Sequence, residues 1–405
     1  MTQKLFDLNS YVKEFSAVVT ACREDEKKPG EYLVELDKTA FFPEGGGQPA
    51  DTGTLGGVLV VYVSEKQGVI LHHCTAPLAV GEPVEGKINW QRRFSHMQTH
   101  CGEHILSGII KKEFNLQNVG FHMGKEFTTI DLDGPMTEEM VEQVEELANQ
   151  AICENVPVKV YYPTREELEQ IPLRKKPEVE NLRVVEVTGY DWCGCCGTHV
   201  ALTGEVGLIK IVDFQRYKGG TRLFFHCGAR ALEDYRQKHK AIKRLAEGFS
   251  CKPEGVEESV HKLEEELSQT KGRIGEKNRL LFDLLGSQLK AHAPSVGGGK
   301  WLFLWDSGFT AEEAKAFAMA AAKGEGVLCT FFTPVAGGVR YAAAKSRDLS
   351  DISLKALCAA LNKATGGKGG GSEELFCGNI PQAVEEKLKT LLQGLAESQN
   401  KNAAV

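Results

Sequence analysis

Two short ligand pairs constrain this chain more than any other feature: His100-Cys-Gly-Glu-His104 and Cys195-Cys-Gly-Thr-His199, each spaced i, i+4 and set nearly a hundred residues apart. On a helix, residues four apart share a face one turn apart, so the two imidazoles of the first pair can close on one ion. Imidazole and thiolate are ligands that Zn²⁺ prefers, and four of them fill a tetrahedral shell. Any fold that uses both pairs must bring residue 100 to residue 195. A purely structural zinc generally draws more cysteines from short C-x-x-C knuckles, whereas three histidines and one cysteine from distant elements suit a cleft. Cys193 and Cys196 lie close enough to compete with Cys195, but only Cys195 repeats the i, i+4 relation to His199. His96, one turn before His100, reads equally as a neighbour of the ion and as a helix-surface histidine.

The spacing of apolar residues and breakers predicts an α+β chain of several domains, as 405 residues with 42% hydrophobic and 25% charged content are too many for one typical core. Residues 1–90 hold short β-rich runs at 18–22, 32–36, 57–64 and 68–73, broken by Gly and Pro. They read as a small β-barrel or open β-domain. Residues 91–228 alternate helical stretches at 94–114 and 137–154 with strand-like ones at 127–131, 158–162, 182–187 and 206–214. This is the expected zinc-containing α+β domain, with helices covering a sheet. Residues 229–293 are helical. Val260, Leu263, Leu267, Thr270, Ile274, Lys277, Leu281 and Leu284 form a coiled-coil seam, and the break at 248–255, with Pro253, separates two helices that either fold back as a hairpin or dimerise. Residues 294–300 read as a linker. Residues 294–405 then form a glycine-rich mixed α/β domain, with strands at 301–305, 327–332 and 340–344, helices at 311–323 and 353–364, a loop at 366–372 and a closing helix.

Several function classes drop out. No apolar run follows a basic start and no stretch is apolar enough to span a bilayer, so a cytoplasmic protein is expected. Twelve cysteines in a chain this long point to a few metal ligands and buried thiols rather than a disulfide framework. A formal charge of −7 argues against non-specific coating of nucleic acid, though it admits local basic patches.

One further motif, Phe41-Phe-Pro-Glu-Gly-Gly-Gly-Gln-Pro-Ala-Asp-Thr-Gly53, sets three glycines before a glutamine, which lets the backbone approach a ligand or make a tight hairpin. The order of this loop and the two ligand pairs, with Thr203-Gly-Glu-Val-Gly-Leu-Ile-Lys-Ile211 and Gly220-Thr-Arg-Leu-Phe-Phe-His-Cys-Gly228, resembles the alanyl-tRNA editing proteins of the AlaX family. These are stand-alone relatives of the editing domain of alanyl-tRNA synthetase. The resemblance spans residues 5–230. The C-terminal domain looks like the tail domain of the family's long form, which is thought to meet tRNA.

The resemblance implies a trans-editing aminoacyl-tRNA hydrolase that removes serine, and also glycine, from mischarged alanine tRNA. It implies zinc on His100, His104, Cys195 and His199, with the Gly45, Gly46 and Gly47 backbone and Gln48 contacting the acylated terminus and Cys101 lining the amino-acid pocket. Two residues depart from the family pattern. Cys101 stands where Thr or Ser is common, and Glu103 replaces a neutral residue, which makes it a candidate catalytic carboxylate beside a zinc-bound water. Candidate tRNA contacts are Arg92, Arg93, Lys111, Lys112, Arg174, Lys175 and Lys176. A homodimer through the helical or C-terminal region fits the seam. The alternatives are a non-catalytic tRNA-binding protein with a structural zinc and a metallohydrolase acting on another ester.

Overall fold

The structure is a computed structural model that describes residues 2–175, 181–296 and 298–403. The chain divides into two compact units, residues 1–247 and 248–405.

After a short N-terminal strand and helix turn, six strands build the first part of the first unit: β1 (Glu14–Glu24), β2 (Tyr32–Leu36), β3 (Gly53–Leu55), β4 (Val58–Lys66), β5 (Val69–Cys74) and β6 (Pro83–Ile88). They close into a barrel in the order β1-β2-β5-β4-β3-β6. Alternation drives closure: β1 and β6 bury every second residue, and Phe15, Val19, Val34, Leu36, Leu55, Val63 and Ile70 fill the interior. The small barrel expected from the sequence is therefore present.

From the barrel the chain enters α1 (Trp90–Phe114), a helix of 25 residues. The Asn89 side chain caps it by accepting from the Arg92 N–H at 3.2 Å. Lys111 and Lys112 complement the dipole in its last turn, and Asn115 ends it in the left-handed region. From His96 to Ile110 every residue is buried, so α1 is a central helix and not a surface one. Around it lie β7 (Asn118–Met123), β8 (Thr128–Leu132), α2 (Glu138–Glu154), β9 (Val158–Tyr161), β10 (Val184–Val187), β11 (Asp191–Gly194), β12 (Ile209–Tyr217) and β13 (Gly220–Cys227). The single sheet expected here is in fact two, one of four strands in the order β12-β13-β8-β7 and one of three in the order β9-β10-β11. Ile105, Ile109, Val144, Ala148, Val185 and Phe225 join both sheets to α1 and α2 in one core. Helix α3 (Gly228–Phe249) follows directly on β13.

In the second unit, α4 (Val256–His292) carries the seam of leucines, and Val260, Leu263, Leu267, Ile274, Leu281 and Leu284 stand exposed on it. Its C-terminal end is tied to the α/β layer, where Phe282 packs on Phe317 of α5 (Ala311–Ala321). The sheet of this unit runs β14-β15-β16-β17-β19-β18, from β14 (Ser295–Val296), β15 (Gly299–Trp305), β16 (Val327–Val335), β17 (Gly338–Lys345), β18 (Lys368–Gly371) and β19 (Leu375–Ile380). Helix α6 (Leu354–Thr365) packs on it, and α7 (Glu385–Ala403) closes the chain. Two expectations change here. Residues 294–300 are not an open linker, because Val296 pairs with Gly299 and Ser295 with Lys300. The glycine-rich run at 366–372 is not a loop, because Lys368–Gly371 pairs antiparallel with Phe376–Asn379 as an edge strand.

A candidate metal centre

The first ligand pair sits in the middle of α1 and the second in the turn that follows β11. The fold brings them together: one ligand atom from each of His100, His104, Cys195 and His199 lies within 4.8 Å of every other. Cys195 Sγ is 3.4 Å from Nε2 of His100 and 3.4 Å from Nε2 of His199. In a tetrahedral zinc shell of thiolate and imidazole, neighbouring ligand atoms stand about 3.5 Å apart. Of the competing cysteines, Cys196 is exposed and outside this group, and Cys193 falls with His104 and Asp191 instead.

The far side of each ring shows how the ligands are aimed. Gln48 Oε1 lies 2.9 Å from His100 Nδ1, and an Asp191 carboxylate oxygen lies 2.8 Å from His104 Nδ1. Each imidazole that donates from Nδ1 turns its Nε2 lone pair toward the cluster, the arrangement typical of metal-bound histidine. His199 Nδ1 is buried without a hydrogen-bond partner among the described residues. Inward lone pairs and a thiol with no cation among them would repel, so the donor set fits a metal ion.

Electrostatics agree. Burial alone would raise the Cys195 thiol, but the His100 and His199 imidazoles beside it hold it well below its usual value. Burial pushes His199 down to about 3, with His100 as a further cause, which favours the neutral ligand form. Burial also works against charge on His104, yet Glu103 and the hydrogen bond to Asp191 overcome it and raise His104 well above its usual value, so positive charge is favoured at its Nε2, as a proton or as a metal ion in the proton's place.

A layer of residues holds the ligands. Arg174 spans both carboxylates beside His104, donating from Nε to Asp191 at 3.0 Å and from Nη1 to Glu103 at 3.3 Å. Burial would raise Glu103, but Arg174 and the nearby histidines hold it at about 2, and its Oε1 also accepts from Ser107 and Asn118. Arg183 donates to the carbonyls of Cys195 and Gly197 at 2.8 and 3.0 Å and so fixes the ligand turn. A Cβ at position 197 would stand 2.1 Å from Cε1 of His100, so only glycine fits there.

Several sequence expectations shift. Gln48 is fully buried. It bonds His100 and both the N–H and the hydroxyl of Thr198, so it orients a ligand and is not offered to a substrate. Cys101 is also fully buried, in the core with Met97 and Ile105. Glu103 has one oxygen engaged by Ser107, Asn118 and Arg174 and the other 3.8 Å from His104 Nε2. Arg93 is no surface cation: it is enclosed, with Nε 3.0 and 2.9 Å from the two oxygens of Asp51. Arg174 is likewise committed to Glu103 and Asp191. Arg92 is half-buried and donates to the Ala50 carbonyl, Lys111 is half-buried, and Lys112 and Lys175 are exposed. Lys176 lies outside the described residues.

The glycine loop is a hairpin turn closed by bonds between Gly45 and Gln48, with Gly46 and Gly47 exposed at its tip. Gly47 has φ +81°, and a Cβ there would meet the Phe121 ring at 2.5 Å. That ring sits 5.2 Å from the His100 ring, so the turn packs against one wall of the centre. Asp191, Arg183 and Thr198 carried no signal in the sequence, since their roles arise only from the approach of distant segments.

Comparison with known proteins gives these residues a context. The chain is 27% identical to the Pyrococcus horikoshii protein named alanyl-tRNA editing protein AlaX-L, over 98% of each chain. It is 33% identical to the mouse alanyl-tRNA editing protein Aarsd1 over 63% of this chain, and that match spans 66% of the mouse protein. Residues 182–224, which hold the second ligand pair, match the threonyl and alanyl tRNA synthetase second additional domain. The chain belongs to the alanyl-tRNA editing protein family. Its match to AlaX-L along nearly the whole of both chains sets it with the long form of that family. The C-Ala domain of Aquifex aeolicus alanyl-tRNA synthetase matches 26% of the chain at 18% identity with a TM-score of 0.25, too slight a likeness to bear on function.

Proposed function

We propose that this protein is a trans-editing aminoacyl-tRNA deacylase that hydrolyses the ester of alanine tRNA mischarged with serine or glycine, in a cytoplasmic, zinc-containing site. The observation that carries the reading is the convergence of His100, His104, Cys195 and His199 in a chain of this family. Their mix of imidazole and thiolate suits Zn²⁺. When bound, zinc supplies a Lewis acid that polarises an ester carbonyl or a water.

The chain's own residues do the rest. Gln48 and Asp191 hold His100 and His104 in the tautomer that points Nε2 inward. Arg174 pairs with both Asp191 and Glu103 and holds Glu103 as a carboxylate, which keeps negative charge on the His104 side of the site. Gly46 and Gly47 are exposed at the tip of the hairpin, Gly46 beside Cys196 and Gly47 beside Phe121, and among the described residues neither N–H donates a hydrogen bond, which leaves them free for a developing oxyanion. An aminoacyl ester is already activated, so such positioning accounts for much of the task. No described helix is long and apolar enough to cross a membrane. The exposed seam on α4 supports association of two copies.

The test is deacylation of serine, glycine and alanine esters of alanine tRNA, with and without chelator. Serine and glycine esters should be cleaved and alanine spared, with activity lost on chelation and in His104→Ala. Equal removal of alanine, or full activity in metal-free protein, overturns the reading. Binding without turnover would favour a tRNA-binding protein with a structural zinc.

A further inference from the structure

Beside the first turns of α1 lies a groove of about 940 Å³. Its walls come from Trp90, Phe94 and His96 of α1, Lys125 after β7, Arg230 in the first turn of α3, and Pro49, which follows Gln48 directly. Three properties set it apart. The first is aromatic surface: Trp90 and Phe94 are half-buried with ring centroids 5.6 Å apart. The second is an unsatisfied polar group, because His96 is only 8% exposed and its Nδ1 has no hydrogen-bond partner among the described residues. A buried polar atom left alone is unfavourable, and a ligand that bonds it relieves the cost.

The third is charge. Arg92, Lys125 and Arg230 line the groove against a single carboxylate, Glu233, in a chain whose formal charge is −7. Among the described residues, Arg230 has no carboxylate in ion-pair range. It donates instead to the Thr128 hydroxyl and to the carbonyls of Gly124, Lys125 and Glu126. The groove also adjoins the metal centre. His96 precedes His100 by one helical turn, about 6 Å of rise, and Met123, another wall residue, donates its N–H to the Gly47 carbonyl.

Aromatic faces, a hydrogen-bonding edge and a run of cations describe a site for single-stranded nucleic acid, whose unstacked bases expose both face and edge; a duplex offers this wall only phosphates. We propose that the groove holds the unpaired nucleotides that precede the ester-bearing terminal adenosine, with a base against Trp90 and Phe94, a base edge at His96 Nδ1 and phosphates at Lys125 and Arg230. This rests on the deacylase reading and adds where the RNA leading to the ester lies.

The probe is an eight-nucleotide RNA with a free 3′ adenosine, compared by fluorescence anisotropy with a blunt duplex of equal length on the full chain. The single strand should bind at least tenfold tighter than the duplex. Lys125→Glu should weaken it about tenfold and flatten its salt dependence by roughly one phosphate contact. His96→Leu should weaken it about tenfold while His96→Gln, which keeps a hydrogen-bonding end, loses less. Thermal melts identify any variant that fails to fold, and Lys125, being exposed, keeps the test open if His96→Leu does not. In deacylation assays the same variants should lose through KM rather than kcat. Equal binding of duplex and single strand, or wild-type affinity in Lys125→Glu and a folded His96→Leu, overturns the groove. Turnover by the wild-type chain with KM unmoved in both variants sinks the groove and leaves the deacylase reading standing. Variant-sensitive RNA binding with no turnover supports the groove and sinks that reading.

Discussion

Gln48 and Asp191 never reach the ion's position, yet each fixes a ligand ring from behind. Removing such a partner typically lowers metal affinity 10- to 100-fold. Gln48→Ala and Asp191→Asn should therefore each weaken zinc by that factor in a chelator competition, while His104→Ala should abolish stoichiometric binding; unchanged affinity in both of the former would refute the positioning role. A second prediction concerns Asp51, which is buried against the Arg93 guanidinium. Asp51→Ala strands that charge and should cost about 3–5 kcal/mol, read as a lowered urea midpoint. That His100 and His104 share a helix face, and that Cys195 and His199 form a matching pair, was legible from their spacing. Gln48 and Arg93 were not. Their side chains suit a surface or a ligand equally well, and only the approach of segments 42 to 52 positions apart buries them.

Among the elements, barrel strands and helices were readable because alternation and helical periodicity each leave their own mark. Phe15, Ala17 and Val19 face inward while their neighbours face out. The glycine-rich strand β18 was invisible. Glycines have no side chain to alternate, and its pairing comes from the neighbouring β19. The division of the strands around α1 into two sheets was hidden for a similar reason, because strand order is set by long-range packing on that helix. The seam on α4 is where an element-scale prediction belongs. Its leucines are exposed within one chain, so sedimentation should report a dimer, and Leu263→Glu with Ile274→Glu should convert it to monomer. A monomeric wild type refutes that association.

For the whole molecule, the proposed metal ligands all lie in the first unit, while the second has its own cores built on α5, α6 and their sheet. Zinc bound to the native state stabilises whatever folds around it by mass action. Calorimetry should thus show two transitions, only one of them lowered by chelator; a shift of both by equal amounts would mean the units unfold together.

The distance along the chain between the halves of the centre also governs how the protein is made. His100 precedes Cys195 by 95 residues, so at ordinary translation speeds the nascent chain carries a two-imidazole half-site for roughly 5–20 s. Without the thiolate that half-site has little to favour zinc over copper or nickel, which bind imidazole well. Chains stalled near residue 190 should hold zinc weakly and exchange it freely, whereas chains stalled near residue 250 should retain it. On the zinc reading, the choice of metal is then decided late in synthesis, once Cys195 and His199 can join His100 and His104.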